Sequence, residues 1–355
     1  MREILLEHES RYPQMEIADA VKLLYQSEFG GGHMIDCPEA SLVRLQQEYE
    51  SHFNSLKSTE GENTPIWERI GGGLYRLDLR MIKQGLSVQT LNRMFVCTAN
   101  QTRGSISGLE EKLEELRRCC IAGEVPFALP ELDQYLKRYR EQGYPAVSHS
   151  TCYRETYRPS YRVVSECYLP YAAIFLQIDG LLQDSEKSTL RIAVDGRSGS
   201  GKSTLGQMLQ ELYGCNLFHM DDFFLRPEQR TEARFAQPGG NVDYERFETE
   251  VLRHLADPSG MTYQVYDCRR QLLGEKRTLP HRRLNLIEGV YSQHPYFGDI
   301  YDLRIFLKVE PEEQVRRILE RNGAQMLERF QKEWIPLENT YFETYPIENE
   351  SIQVD

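Results

Sequence analysis

Residues 190–204 place an apolar run directly before a glycine-rich turn that ends in lysine and serine. Gly196 and Gly201 bracket four residues and precede Lys202 and Ser203, which is the phosphate-binding P-loop pattern. Glycines allow successive backbone N–H groups to face phosphate oxygens, and the start of the following helix adds positive potential. The alternative is a glycine turn without a ligand. We predict that nucleotide phosphates are held by Gly196, Ser198, Gly199, Ser200, Gly201, Lys202, Ser203 and Thr204.

Four side chains carry the chemistry that such a loop serves. Lys202 would reach the outer phosphates, and the Ser203 hydroxyl would be a ligand for Mg²⁺. Asp221 follows a predicted strand over 216–220 and is suited to orient or deprotonate an acceptor hydroxyl. Glu288 follows another apolar strand and would organise magnesium and its waters. The structural alternatives are that Asp221 caps the next turn and that Glu288 is an ordinary strand-end carboxylate.

Arginines further along the chain are candidates for a lid over the phosphates. Arg316, Arg317 and Arg321 lie on a predicted helix that starts at Pro311, and Arg329 lies just beyond it. Of these, we assign Arg317 and Arg321 to the catalytic site. The alternative is a charged, solvated helix face.

The pattern of elements divides the chain into two domains, as its length of 355 residues suggests. Residues 1–182 are predicted to be mainly helical, and residues 183–189 form a polar linker. Residues 190–355 alternate strands with helices, which is typical of a parallel α/β sheet. Strands are predicted over 190–195, 216–220, 283–287 and 303–309, and helices over 74–84, 87–99, 108–122, 130–142 and 167–182, with an exposed loop over 51–64.

The order of motifs over about 188–345 resembles the uridine kinase branch of the P-loop kinases, which includes phosphoribulokinase-like and nicotinamide riboside kinase-like enzymes. The matching segments after the P-loop are Asp221-Asp222-Phe223-Phe224, Asn241-Val242-Asp243, Tyr266-Asp267 and Glu288-Gly289. The resemblance implies ATP and Mg²⁺ as cofactors and transfer of the γ-phosphoryl group to a hydroxyl. It further implies that Asp221 is the catalytic base and that Asn241 and Asp243 hold the acceptor. Tyr266 would lie near the nucleobase of the acceptor.

The departures from that family fall on the acceptor side. Asp222 replaces a serine, and Cys268 replaces the usual aromatic residue before Arg269 and Arg270. Arg226, Arg269 and Arg270 would suit an acidic group on the acceptor. A nucleoside is the first expectation for the acceptor, and a sugar, a vitamin or another small alcohol is the second. Two other functions stay open, which are an ATP-gated switch protein without an acceptor and a kinase for RNA ends.

Composition limits the partners. A net charge of −12 and a pI of about 5.3 argue against a broad nucleic-acid interface. No apolar run has the length of a membrane span, and the first residues are too acidic for a signal peptide. Eight cysteines without paired spacing predict free thiols in the cytoplasm. We expect a small-molecule partner and leave a homo-oligomer open.

The first domain carries weaker signals. Two triple-glycine clusters, at 30–32 and 71–73, are expected to be helix-terminating loops or anion nests. A His₂Cys₂ metal site would require that His33 and Cys37 meet His149 and Cys152. Tyr-Arg pairs recur every four residues over 153–162, which would align two stripes on a helix despite Pro159. The candidates for a second ligand site are His149, Arg154, Arg158 and Arg162, and the alternative is an inter-domain surface.

Overall fold

The computed structural model describes residues 1–32, 35, 37–55 and 65–354, and it separates them into two compact units. The N-terminal unit is Met1–Asp179, and the C-terminal unit is Gly180–Asp355. Across the part of the chain that the structure describes, no helix is both long enough and apolar enough to cross a membrane.

The N-terminal unit is mainly helical, as predicted, and it also contains a small antiparallel sheet of order β1-β2-β3. Its helices are α1 (Arg2–Arg11), α2 (Ile17–Phe29), α3 (Pro38–Ser55), α4 (Arg80–Lys83), α5 (Val88–Gln101), α6 (Ile106–Ile121), α7 (Leu129–Glu141) and α8 (Thr151–Tyr157). Its strands are β1 (Trp67–Gly71), β2 (Leu74–Asp78) and β3 (Tyr161–Ser165). A 3₁₀ turn over Glu166–Tyr171 leads into α9 (Ala172–Asp184). Ser87 is the N-cap of α5, because its Oγ accepts a hydrogen bond from Thr90 N.

The predicted helix over 74–84 is wrong. Residues 71–73 are not a helix-terminating loop but the turn of a hairpin, and all three glycines have positive φ. The backbone at Gly72 approaches α2 so closely that a Cβ there would lie 2.1 Å from the Ser27 carbonyl oxygen. The turn therefore commits Leu74–Asp78 to pair with β1 as a strand, and a single helical turn follows it. The other cluster does end a helix, because Gly30 follows α2 with φ +62°.

The Tyr-Arg segment does not form one helix. Helix α8 ends at Tyr157, and Arg158 adopts a left-handed φ of 45° before Pro159. Proline lacks the N–H that a continuing helix would need, so the chain leaves the helix and enters β3, which pairs with β2. The predicted loop over 51–64 is wrong for residues 51–55, which form the end of α3, and residues 56–64 lie outside the described residues.

The C-terminal unit is built on a five-stranded parallel sheet of order β10-β9-β4-β8-β5, as predicted for this half of the chain. The strands are β4 (Leu190–Gly196), β5 (Asn216–His219), β8 (Leu284–Glu288), β9 (Leu303–Leu307) and β10 (Ile352–Val354). The helices are α10 (Lys202–Tyr213), α11 (Glu232–Phe235), α12 (Tyr244–Glu250), α13 (Pro311–Asn322), α14 (Ala324–Arg329) and α15 (Ile335–Thr344), with a π-helical turn over Phe330–Trp334. The antiparallel hairpin of β6 (Met261–Asp267) and β7 (Leu272–Leu279) was not predicted.

The central position of β4 determines where a ligand binds. The chain runs from β4 to β5, returns through β8, and then crosses to β9 on the other side of β4. Such a reversal leaves a crevice at the carboxyl ends of the strands, where parallel α/β sheets bind their ligands. The residues that end β4, β5 and β8 therefore share this edge of the sheet.

The N-terminal unit also buries a group of charged side chains. Glu68 on β1 accepts hydrogen bonds from Tyr12 (2.6 Å) and from Arg76 (3.2 Å), and its carboxylate lies 3.4 Å from the His8 ring. Arg76 donates in addition to Gln26, at 2.9 and 3.0 Å. Burial alone would raise the pKa of Glu68, but its contacts with His8 and Arg76 hold that pKa far below its usual value.

We predict that Glu68→Gln lowers the free energy of unfolding of the N-terminal unit by about 3–5 kcal/mol, because it leaves the Arg76 charge buried without its counter-ion. A carboxylate whose pKa is depressed by folding stabilises above its unfolded pKa and loses that effect as the pH falls, so the loss should shrink below about pH 4. Urea unfolding followed by Trp67 fluorescence, in a Trp334→Phe background, measures both effects. Exposed Glu3→Gln is the control, and an equal effect of the two substitutions would contradict the prediction.

Candidate functional site

The predicted phosphate loop joins the central strand β4 to helix α10. Gly196, Gly199 and Gly201 have φ values of 145°, 77° and 100°, which residues other than glycine rarely adopt. A Cβ at Gly196 would also lie 2.4 Å from the Leu307 carbonyl oxygen. Ser200 is buried, and its Oγ has no partner among the described residues. The loop thus has the backbone form and the spare hydrogen-bonding group that bound phosphates require.

Lys202 lies at the first position of α10 and is buried at the loop. Its Nζ donates to the carbonyl oxygens of Gly196 and Arg197, both at 2.8 Å. An ammonium group has three donors. Lys202 is therefore anchored over the loop with a further N–H for a phosphate oxygen.

Ser203 and Glu288 come together at the carboxyl edge of the sheet. Ser203 Oγ lies 3.2 and 3.3 Å from the two carboxylate oxygens of buried Glu288. His219, at the end of β5, makes a short hydrogen bond to the same carboxylate, and this bond raises the pKa of the histidine. Hydroxyl and carboxylate oxygens are ligands that Mg²⁺ prefers. The donor set therefore fits the magnesium ion predicted for Ser203 and Glu288.

Asp221 lies just beyond the end of β5, within the 3₁₀ turn Met220–Phe223. Asp221 is exposed to solvent, but nearby protein atoms raise the pKa of its carboxyl group, and the negative charge of Glu288 contributes to the same rise. A carboxylate with a raised pKa is a better proton acceptor than an unperturbed one. The neighbouring Asp222 has a different environment, because Arg277 (2.9 Å) and Tyr263 (3.2 Å) donate to its carboxylate.

The two arginines assigned to the lid differ in position. Arg317 on α13 donates to the Gly199 carbonyl oxygen at 3.1 Å and to Glu313 at 2.6 Å, so it already touches the loop. Arg321 is exposed one turn later and donates to the Asn322 side chain at 2.8 Å. Arg316 instead pairs with Glu313 and Glu320 on its own helix face. Arg317 is thus the lid candidate closest to the phosphate loop.

A cavity of about 1050 Å³ lies on the predicted acceptor side. Asn241 lines it, and the buried Oδ1 of this residue has no partner among the described residues. Tyr266 also lines it, and Arg230 donates to the tyrosine hydroxyl at 2.7 Å. Arg269 is exposed at its rim, in the turn between β6 and β7.

Asp243, the fourth predicted acceptor residue, caps α12. Its Oδ1 accepts from Arg246 N at 3.1 Å, and its Oδ2 accepts from Gln229 Nε2 at 2.8 Å. The side chain is buried, so both oxygens hold protein groups in place. Its predicted contact with an acceptor hydroxyl stays a prediction.

Comparison with protein-family models matches residues 198–263 to shikimate kinase. This segment contains most of the phosphate loop, Asp221 and Asp243. This match, the parallel sheet and the loop between β4 and α10 together identify the fold. The C-terminal unit has the fold of a P-loop kinase. The predicted resemblance is confirmed at that level, and the uridine kinase branch stays a prediction.

The C-terminal unit, Gly180–Asp355, is called the kinase unit below, and the solved structures that are similar to it include the following three. A "possible uridine kinase" from Bacillus stearothermophilus is 23% identical over 51% of this chain and 96% of its own, with a TM-score of 0.40. D-glycerate 3-kinase from Cryptococcus neoformans is 14% identical over 47% and 85%, with a TM-score of 0.37. Shikimate kinase from Acinetobacter baumannii in complex with shikimate is 21% identical over 44% and 81%, with a TM-score of 0.23. A search of curated proteins found no significant match.

The kinase unit also depends on Asp195, whose role sequence reasoning missed. This carboxylate is fully buried at the end of β4 and accepts from Gly196 N (2.7 Å), Gln293 N (3.1 Å) and Tyr341 Oη (3.0 Å). Burial raises the pKa of Asp195 to about 6 against the effect of these donors. The sequence signal that could have revealed Asp195 is an acidic residue within an apolar run directly before the phosphate loop.

Helix α15 of the kinase unit contacts the same loop through a second carboxylate. Buried Glu338 accepts a hydrogen bond from Ser198 N at 3.0 Å and a short one from Ser198 Oγ. Gln314 Nε2 donates to the Ser198 carbonyl oxygen at 2.9 Å. Ser198 was predicted to hold phosphate, whereas here its donors bind Glu338. Nothing in the sequence near Glu338 indicated this partner.

In the N-terminal unit, the predicted His₂Cys₂ site is not formed by the described residues. His149 hydrogen-bonds to Asp19 (2.9 Å) and Tyr161 (2.7 Å) instead of approaching a cysteine ligand set. His33 lies outside the described residues, and among those that are described no group of three or more His, Cys, Asp and Glu side chains could hold a metal ion.

We predict that Tyr341→Phe destabilises the kinase unit more at pH 8 than at pH 5. The lost hydroxyl stabilises ionised Asp195, and a hydrogen bond to a charged group is worth about 1.5–3 kcal/mol. Because the folded-state pKa of Asp195 is raised to about 6, the side chain is largely protonated at pH 5 and ionised at pH 8. Urea unfolding followed by Trp334 fluorescence, in a Trp67→Phe background, provides the comparison. Tyr345→Phe, at the residue that follows the same helix, is the control, and an equal loss at both pH values would refute the assignment.

Proposed function

We propose that this protein is a kinase that transfers the γ-phosphoryl group of ATP to a hydroxyl of a small molecule. The observation that carries the proposal is the position of Asp221 at the same sheet edge as Lys202 and the Ser203–Glu288 pair. Phosphoryl transfer mainly requires positioning and charge neutralisation, and this set of groups can supply both. The shikimate kinase family match over 198–263 also supports it.

Each group has a distinct task in the proposed reaction. Lys202 would bind the outer phosphate oxygens. Arg317 is exposed and already contacts the phosphate loop at Gly199, so its guanidinium could approach the transferred phosphoryl group. Mg²⁺, when bound at Ser203 and Glu288, would neutralise phosphate charge. Asp221 would accept the proton of the attacking hydroxyl, and its raised pKa suits that role.

The acceptor would bind in the 1050 Å³ cavity beside Asn241 and Tyr266. The nucleoside-like acceptor predicted from sequence is one candidate class, because the cavity also contains Phe224, Phe235 and Trp334, on which a base can stack. A small hydroxy acid or phosphorylated alcohol is the second class. Arginines favour it, since Arg230, Arg269, Arg321 and Arg329 all line this cavity. We assign the reaction to the cytoplasm, where the eight free thiols would persist.

We predict that Asp221→Asn lowers kcat about 10²–10⁴-fold while the affinity for Mg·ATP changes little, because the amide cannot accept the proton. ADP release is measured against a panel of nucleosides, hydroxy acids and sugars, and ATP affinity is measured separately by calorimetry. Exposed Asp299→Asn is the matched control. Lys202→Ala should abolish turnover, and unchanged turnover in Asp221→Asn would exclude Asp221 as the base.

Substitutions of the adjacent residues Arg269 and Arg270 would distinguish an acidic acceptor from a neutral nucleoside. Arg269 lines the cavity, whereas Arg270 is not among its lining residues. If the acceptor is acidic, Arg269→Ala should raise its KM about 10-fold or more with a smaller change in kcat, because a charge-assisted hydrogen bond is lost. Arg270→Ala should leave KM unchanged. Turnover of a neutral nucleoside that neither variant affects would support the nucleoside class instead.

A further inference from the structure

A second pocket lies within the N-terminal unit, and none of its lining residues is assigned to the kinase reaction. Its volume is about 490 Å³, which is in the range of small-molecule sites. The lining includes Lys22, His149, Arg154, Arg158 and Ser160. These residues come from α2, α8 and the segments that flank α8. The tertiary fold thus brings basic side chains from distant parts of the chain to one concave surface.

The pocket concentrates positive charge on a protein whose net charge is −12. Three of its lining side chains are cationic at neutral pH, namely Lys22, Arg154 and Arg158. Among the described residues that line it, Glu48 is the single acid, and Arg162 neutralises it at 2.7 Å. Burial, together with the positive charge of Arg76, lowers the pKa of Lys22 to about 8. An anion in this pocket would relieve that repulsion.

The walls of the pocket are held in place before any ligand arrives. Asp19 accepts hydrogen bonds from His149 (2.9 Å) and from Ser150 N and Oγ (3.0 and 2.7 Å), which fixes the loop that precedes α8. Lys22 Nζ is fixed by the Val147 carbonyl oxygen at 2.9 Å. Arg158 follows α8 directly and has a left-handed backbone conformation. Preorganised donors bind a ligand with a smaller loss of entropy than mobile ones.

Ser160 provides an independent sign of a ligand. Its side chain lines the pocket and is 6% exposed, yet its Oγ has no hydrogen-bond partner among the described residues. A buried hydroxyl without a partner costs free energy, so such groups usually have one. A phosphate oxygen in the pocket would supply an acceptor for this hydroxyl.

We propose that this pocket binds the phosphate group of a small phosphorylated metabolite. A phosphate monoester carries up to two negative charges and three acceptor oxygens, which matches several cations together with a hydroxyl better than a single carboxylate does. The pocket is also larger than a free phosphate ion requires, so it has room for the organic part of an ester. The site does not depend on the kinase assignment, because it shares no residue with the kinase unit.

Isothermal titration calorimetry on the full chain tests the site. Lys202→Ala serves as the background, so that the phosphate loop contributes little to the signal. Ribose 5-phosphate, glycerol 3-phosphate and inorganic phosphate are the probes. We expect the better ester to bind at least tenfold more tightly than inorganic phosphate. Equal affinities would assign the pocket to inorganic phosphate and overturn the ester proposal, and no binding of any probe would overturn the site.

Two substitutions localise the binding. Arg154 is exposed, so Arg154→Ala should leave the fold intact, and Arg158→Asn removes the second cation with a residue that tolerates the left-handed backbone. Each should weaken ester binding about tenfold or more. Lys137→Gln, an exposed change on α7, is the matched control and should have no effect. Unchanged affinity in the Arg154→Ala/Arg158→Asn double variant would refute the assignment, as would tighter binding of a 5′-phosphorylated RNA oligomer through the same arginines.

Discussion

The buried carboxylate of Asp195 is the interaction on which the phosphate loop depends. It joins three parts of the kinase unit, because its oxygens accept from the first loop glycine, from Gln293 after β8, and from Tyr341 on α15. All three donors favour the ionised form, whereas full burial opposes it and raises the pKa to about 6. The start of the loop is therefore held by a buried carboxylate whose ionised form is disfavoured by desolvation. Glu338 provides a second carboxylate contact two residues further along, at Ser198.

The two candidate sites obtain positive potential in different ways on an acidic chain. In the kinase unit, glycine backbone conformations and the start of α10 are the main source, with Lys202 held by loop carbonyls. In the N-terminal unit, side chains are the source, and the buried charge of Arg76 lies behind them. Backbone donors are suited to a phosphate chain that must be positioned for reaction. In the N-terminal unit, arginine and lysine side chains supply the charge for a phosphate group that is bound but not transferred.

The parts of the fold that local pattern determines were predicted well. The loop could be read from its glycine spacing, and Asp221 and Glu288 could be placed together because parallel strands end at one edge of a sheet. The helices over 87–99, 108–122 and 130–142 have strong apolar periodicity, and the structure has helices there. The prediction failed at residues 74–84, where apolar spacing was compatible with a helix. There the close approach of Gly72 to Ser27 makes a hairpin, and no local window contains that contact.

Sequence alone thus determined the phosphate loop, the parallel α/β character of the second half and the mainly helical character of the first, because each depends on residues close together in the chain. Tertiary structure decided which side chains meet. It paired Ser198 with Glu338 across 140 positions and placed Lys22 beside a helix that begins at Thr151. It also turned the Tyr-Arg repeat into a helix end and a strand, with Arg158 between them. Long-range packing and burial select such pairs, and spacing along one chain carries no information about them.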